Sequence, residues 1–125
     1  VEETKIMAET RKILNLPNLP ISAFTVRVPV LNGHSESVWL RLKKSATKNE
    51  IERCLQKAPG IVFQAENKYC TALTSSGKDP VFVGRLHADP AEDNTWIFWV
   101  VSDNVRKGAA LNGFQIAQSI FGQRS

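Results

Sequence analysis

The sequence predicts an α+β fold, a mainly antiparallel or mixed sheet with helices packed on one face. Three observations predict it. Apolar residues recur at helical spacing near both ends of the chain and once in the middle. Between these segments the period shortens to two, the alternation of a strand with one buried face. One run, Trp96-Ile97-Phe98-Trp99-Val100-Val101, is continuously apolar and reads as a strand covered on both faces. The resulting order is helix, two strands, helix, strand, two strands, helix, and its 125 residues fit one domain with a usable core.

In order along the chain, Ile6, Met7, Thr10, Ile13 and Leu14 mark a helix over about 2–14, with Glu2 and Glu3 at its positive end. Pro17 and Pro20 end it. Val26, Val28 and Val30 alternate with Arg27 and Pro29, and Val38, Leu40 and Leu42 alternate with Trp39, Arg41 and Lys43. Asn32-Gly33 between them predicts a tight hairpin. In that register Leu31 faces His34, and Arg27, Leu31 and His34 share a side. Thr47-Lys48-Asn49-Glu50 has the form of a capping box opening a short helix with Ile51, Leu55 and Ala58 on its buried stripe, stopped by Pro59-Gly60. Cys54, beside that stripe, is expected to be a small core residue.

Ile61-Val62-Phe63 predicts a brief strand, and residues 67–80 read as a polar loop carrying Cys70, with Ser75-Ser76-Gly77-Lys78-Asp79-Pro80 as its exposed part. Residues 81–87 form a strand with Val81, Val83 and Arg85 on one face and Phe82 and Leu86 on the other. Gly84 marks a close approach within it. Ser102-Asp103-Asn104 is expected to cap the last helix, whose apolar side is Ala109, Ala110, Ile116, Ala117, Ile120 and Phe121, with Gly122 at its end.

An apolar fraction of 42% and a charged fraction of 22% are those of an ordinary soluble domain. Sixteen basic and twelve acidic residues are mixed along the chain, with the short basic pairs Arg11-Lys12, Lys43-Lys44 and Arg106-Lys107 scattered and no aromatic residue interleaved. That argues against a nucleic-acid partner, which would need a concentrated basic face. No apolar run reaches a membrane span, and no signal-peptide pattern opens the chain. Two distant cysteines make neither a metal site nor a disulfide framework, so no metal is expected and the default compartment is reducing. The opening Val1-Glu2-Glu3-Thr4-Lys5 falls inside a helical pattern without an initiator Met and reads as a cut N-terminus.

From chemistry alone, Arg27 offers a planar cation for an anion and His34 a proton beside it. The plain alternative is two surface residues. Glu2 and Lys5, three apart on one helix face, have the plain reading of a solvated ion pair worth a few tenths of a kcal/mol.

The motifs Arg27-Val28-Pro29-Val30, Gly33-His34-Ser35-Glu36, Val83-Gly84-Arg85 and the run Trp99 to Asn112, with Glu9-Thr10-Arg11-Lys12-Ile13-Leu14 near the start, are more telling together. In this order and spacing they resemble the C-terminal part of aspartate-semialdehyde dehydrogenase, over nearly the whole chain. The resemblance implies an NADP-dependent oxidoreductase of the amino-acid pathways to lysine, threonine and methionine. It interconverts aspartyl phosphate and aspartate semialdehyde through a Cys thioester. It implies His34 as acid/base and Arg27, seven residues earlier, as the grip on the substrate carboxylate. Glu2 falls where the family has an acid near the substrate amine and Lys5 where it has a phosphate-binding cation. Asn104 falls where a side-chain amide meets the nicotinamide carboxamide. The family's amino-terminal dinucleotide-binding domain, with most of the NADP site, and its Asn-Cys nucleophile segment have no counterpart in these residues, and Cys70 after Tyr69 is no substitute. Residues 1–125 are therefore expected to be one partial catalytic and dimerisation domain, inactive alone. They would be part of a homodimer or homotetramer, cytoplasmic, or plastid in a plant or alga. A non-catalytic dimerisation module is the alternative, and a basic nucleic-acid-binding domain a distant third.

Overall fold

The first helix, α1 (Glu2–Ile13), carries Glu2 and Glu3 in its first turn and Arg11 and Lys12 in its last, each sign at the dipole end that favours it. It ends before either proline acts. Asn15 takes a left-handed φ of 53°. The amides of Asn15 and Leu16 donate to the carbonyls of Lys12 and Arg11, the two bonds of a Schellman ending. The structure, a computed structural model, describes residues 2–65 and 68–122. Val1, where the chain was read as cut, and Asn67, at the head of the expected loop, lie outside them.

The described residues form one sheet of four strands, β1 (His34–Arg41), β2 (Ile61–Gln64), β3 (Val81–Ala88) and β4 (Thr95–Ser102), in the order β1-β4-β3-β2. β4 pairs antiparallel with β1 and β3, and β2 pairs parallel with β3. The architecture is α+β with a mixed sheet, as expected. The predicted hairpin is absent. Residues 22–30 run without a strand partner, and β1 begins at His34 and pairs with β4, placing His34 opposite Ser102. A two-residue turn of the expected type needs positive φ at both central residues. Only Gly33 supplies it, at 101°, because the Asn32 side chain is drawn instead into bonds with Asp103 and Ser76. Leu31 is consequently fully exposed and Phe24 is 88% exposed, so Arg27, Leu31 and His34 do not share a strand face.

The second helix, α2 (Lys48–Lys57), starts as its sequence requires. The Thr47 hydroxyl accepts from the Glu50 amide while the Glu50 carboxylate accepts from the Thr47 amide at 2.7 Å. Gly60 then turns the chain at a φ of 75°. Ile51, Leu55 and Ala58 are half-buried, but Cys54 is exposed. One step off the stripe is enough to turn a side chain to solvent on a helix packed along a single face, so the expectation of a core Cys54 fails.

The core lies elsewhere. Cys70, Phe82 and Val101 are buried together with Trp99 packed against them, and the Trp99 indole donates to the Cys70 carbonyl at 3.0 Å. The expected polar loop therefore contains core. A short helix, α3 (Ala72–Ser75), is capped by Thr71 and Thr74 and buries Ala72 and Ser75. The polarity of its hydroxyls concealed it, because they bond to their own backbone, as the Ser75 hydroxyl does to the Ala72 carbonyl. β3 also departs from simple alternation. Arg85 has a φ of 55° at a bulge between Gly84 and His87, so it leaves the face of Val81 and Val83. Gly84 does mark a close approach: a Cβ there would stand 3.2 Å from the Lys68 carbonyl oxygen.

After β4, a π-helical turn (Arg106–Ala110) breaks at Ala109 (φ −142°, ψ −107°) before the last helix, α4 (Leu111–Phe121), with Gly122 at its end. The single helix expected from residue 109 is thus two pieces, and its apolar residues Phe114, Ile116, Ile120 and Phe121 are exposed.

Candidate functional site

The segment 31–34 is positioned by the turn that follows β4. Asp103 is 3% exposed, and its carboxylate gathers four donors. Oδ1 accepts the amides of Val105 and Arg106, which opens the turn toward the last helix as expected. Oδ2 accepts the Gly77 amide at 2.7 Å and the Asn32 side-chain amide at 2.9 Å. The Gly77 bond, followed by those from Arg106 and Val105, holds the Asp103 carboxyl below its ordinary pKa. The Asn104 side chain reaches the other way, its Oδ1 accepting from the Gly33 amide at 2.6 Å. Gly33 has no room for a side chain, since a Cβ would lie 3.2 Å from that of Ala72 and 3.4 Å from the Ser102 carbonyl oxygen. His34 follows as the first residue of β1, exposed, its ring without a hydrogen bond among the described residues.

A second cluster joins α1 to the extended segment. Arg27 donates to the Glu2 carboxylate at 3.2 Å, both side chains well exposed. Glu3 accepts from the Thr25 amide and hydroxyl at 3.1 and 2.5 Å, and the hydroxyl bond is the main reason its carboxyl sits below its ordinary pKa. Lys5 pairs with Glu9 at 3.7 Å. Glu2 is thus committed to Arg27 and not to Lys5, against the plain helical-pair reading. The structure brings Glu2 to Arg27 and Asn104 to the residue before His34. No hydrogen bond or ion pair joins the two clusters among the described residues. Asn32, Glu3 and Thr25 were missed by sequence reasoning, because Asn-Gly reads as a turn and an exposed acid on a helix reads as solvated.

An exposed Arg–Glu pair presents a cation beside an anion, the complement of an amino-acid zwitterion. An exposed imidazole at a strand head can serve as a proton donor or acceptor. Asn104, its oxygen taken by Gly33, keeps its amide nitrogen without a partner among the described residues, a donor suited to a carbonyl oxygen. Among the described residues no three His, Cys, Asp or Glu side chains converge as metal ligands.

Residues 1–107 match the family model described as semialdehyde dehydrogenase, dimerisation domain. The chain belongs to the semialdehyde dehydrogenase dimerisation-domain family. An aspartate-semialdehyde dehydrogenase of Shewanella violacea is 45% identical over 119 residues, 94% of this chain and 35% of that protein. One from Bacillus subtilis is 42% identical over 123 residues, 95% of this chain and 36% of that protein. The chain thus spans about a third of the length of the curated relatives it matches. A solved structure, aspartate semialdehyde dehydrogenase II of Vibrio cholerae, superposes with a TM-score of 0.92 at 36% identity, covering 99% of this chain and 37% of its own. A second structure of that enzyme is complexed with ASA and superposes equally well.

Proposed function

We propose that this semialdehyde dehydrogenase domain is the C-terminal part of an NADP-dependent aspartate-semialdehyde dehydrogenase of amino-acid biosynthesis, residues 1–125 forming one partial catalytic and dimerisation domain. The single observation that carries the reading is 45% identity to an enzyme of that name across 94% of the chain. His34 is the acid/base, handing protons to and from the thiol and the oxygen of the reacting carbonyl. Arg27 grips the substrate carboxylate in two-pronged fashion, and Glu2 beside it faces the substrate amine. Lys5 meets the phosphate, exchanging its Glu9 partner for it. The juxtaposition of Glu2 and Arg27 at 3.2 Å supports the pairing of those two roles.

NADP, when bound, supplies the hydride chemistry. Asn104 fits a place against its nicotinamide carboxamide because Gly33 fixes the side chain with the amide nitrogen as the unused donor. The nucleophilic thiol comes from elsewhere in the full-length protein. Cys70 is buried against Phe82 and Val101, and Cys54 is exposed on α2 with no bond to either cluster among the described residues. The chain alone is therefore inactive. Its sheet joins a second copy in a homodimer, or in each of the two paired dimers of a homotetramer. It works in the cytoplasm, a reading supported over a plastid by the bacterial origin of the relatives.

The test uses the full-length protein. His34→Ala should lower kcat by about a hundred- to ten-thousand-fold with KM nearly unchanged. Arg27→Lys should raise KM for aspartate semialdehyde and not for NADP. Unaltered kcat in the first variant, or unaltered KM in the second, removes that residue from the site. A second reading, a non-catalytic dimerisation module, is favoured by the description of the matching family model. It would be chosen if the full-length protein self-associates and lacks turnover.

A further inference from the structure

We propose that Asn32 is a positioning residue for His34, oriented by Ser76 on one side and Asp103 on the other; this rests on the reading of His34 as acid/base. The exposed imidazole has no hydrogen-bond partner among the described residues, so nothing holds it through its own ring. Its place is set by the backbone on either side. Downstream, the ladder fixes His34 opposite Ser102. Upstream, two side-chain bonds do the work of a ladder that residues 22–30 never form. Gly33 donates its amide to Asn104, and Asn32 donates its side-chain amide to Asp103 at 2.9 Å.

The polarity of the Asn32 amide is forced. Asp103 is an acceptor on both oxygens, each already meeting backbone amides. Asn32 must therefore turn its nitrogen to Asp103 and its oxygen away. That oxygen accepts the Ser76 hydroxyl at 2.9 Å. Asp103 is itself buried and tied to Gly77, Val105 and Arg106, so it is a fixed point to which Asn32 anchors the strand head. The Asn32 carboxamide offers both the donor that the carboxylate needs and the acceptor that the hydroxyl needs, on one short side chain. Close packing of Gly33 against Ala72 and Ser102 leaves little slack between the anchor and His34.

In the full-length protein, Asn32→Ala frees one of the two upstream tethers. Misplacing a reacting group by an ångström can cost about a hundredfold, so partial release should lower kcat about tenfold. KM for aspartate semialdehyde should stay within about twofold, since Arg27 and Glu2 lie in a separate cluster. Both are measured well below each variant's melting temperature, so lost stability alone does not register. A kcat within about twofold of the parent overturns the proposal, as does a rise in KM in place of the fall in kcat. Should Asn32→Ala not fold, Ser76→Ala breaks the outer bond of the same clasp. A kcat lowered about threefold then supports the proposal, and an unchanged kcat overturns it. His34→Ala, run alongside, separates the two readings. If it leaves kcat intact the acid/base assignment fails, whereas a crippled His34→Ala beside a normal Asn32→Ala refutes the positioning role alone.

Discussion

Replacing Gly33 by Ala tests the geometry at the head of β1 most directly. The residue holds a φ of 101°, where a side chain costs about 1–3 kcal/mol in backbone strain. The added Cβ would press on the Ala72 Cβ at 3.2 Å and the Ser102 carbonyl oxygen at 3.4 Å, both backbone or next to it and unable to swing aside. Any relief by shifting residue 33 stretches its 2.6 Å bond to Asn104, forfeiting about 1 kcal/mol. Together these predict a loss of about 2–4 kcal/mol. At about 4 °C per kcal/mol for a chain of this size, the midpoint of thermal unfolding should fall by roughly 8–16 °C. Circular dichroism melts of the chain and the variant measure it. Gly113→Ala is the control, since nothing lies within 4 Å of a Cβ there and Ala in a helix interior is stabilising by up to about 1 kcal/mol. A Gly33→Ala melt within about 2 °C of the parent would refute the reasoning and return Asn32-Gly33 to an ordinary flexible turn.

Thr47→Ala removes half of the capping box and should cost about 1 kcal/mol in denaturant unfolding, with the slope unchanged. Asp103 has its folded pKa lowered, so its contribution is present above its unfolded pKa, near 4, and lost as pH falls through the lower folded value. Unfolding measured across that acid range should show this loss in the parent and not in Asp103→Asn. Glu3 and Glu50 act with the same sign, so the limb should be reduced and not abolished. A maleimide should label Cys54 promptly and Cys70 only on unfolding, because the first thiol is exposed and the second buried; equal rates would contradict the packing.

The parts of the fold legible in the sequence are those decided by nearby residues. The box at Thr47 and Glu50 closes within one turn. The run from Trp96 to Val101 is the strand its sequence announces, although it is not covered throughout: Trp96 and Val101 are buried and the four residues between them are half-buried. The helix over 2–13 needs only its own spacing and charges. What stayed hidden was decided by distant partners. Asn32-Gly33 has the local chemistry of a hairpin, and the competing attraction of Asp103, seventy-one positions away, prevails. Cys70 and Ser75 sit in a polar stretch whose hydroxyls are satisfied by α3 itself, which frees the segment to be buried. Arg85 obeys alternation until a bulge beside Gly84 turns it; the glycine was read as a close approach, which it also is, and not as a bulge. For the site, the family resemblance pointed to His34, Arg27, Glu2, Lys5 and Asn104, and the contacts Arg27–Glu2 and Gly33–Asn104 emerged only in three dimensions.

The pairing of β1 with β4 also sets an order of events. β1 leaves the ribosome before its hydrogen-bonding partner β4, the last strand among the described residues, with α2, β2, α3 and β3 made between them. Until then the head of β1 has neither its ladder nor Asp103 and Asn104, and the exposed apolar residues before it are open to other chains. Such non-local closure is slow and aggregation-prone by nature. The strand that carries His34 is therefore the part of the sheet for which a nascent chain waits longest. Its shape becomes definite only when residues 102–104 have left the exit tunnel, so truncation just short of them should leave a chain with α1, α2 and α3 but without α4 and without the contacts that hold the head of β1.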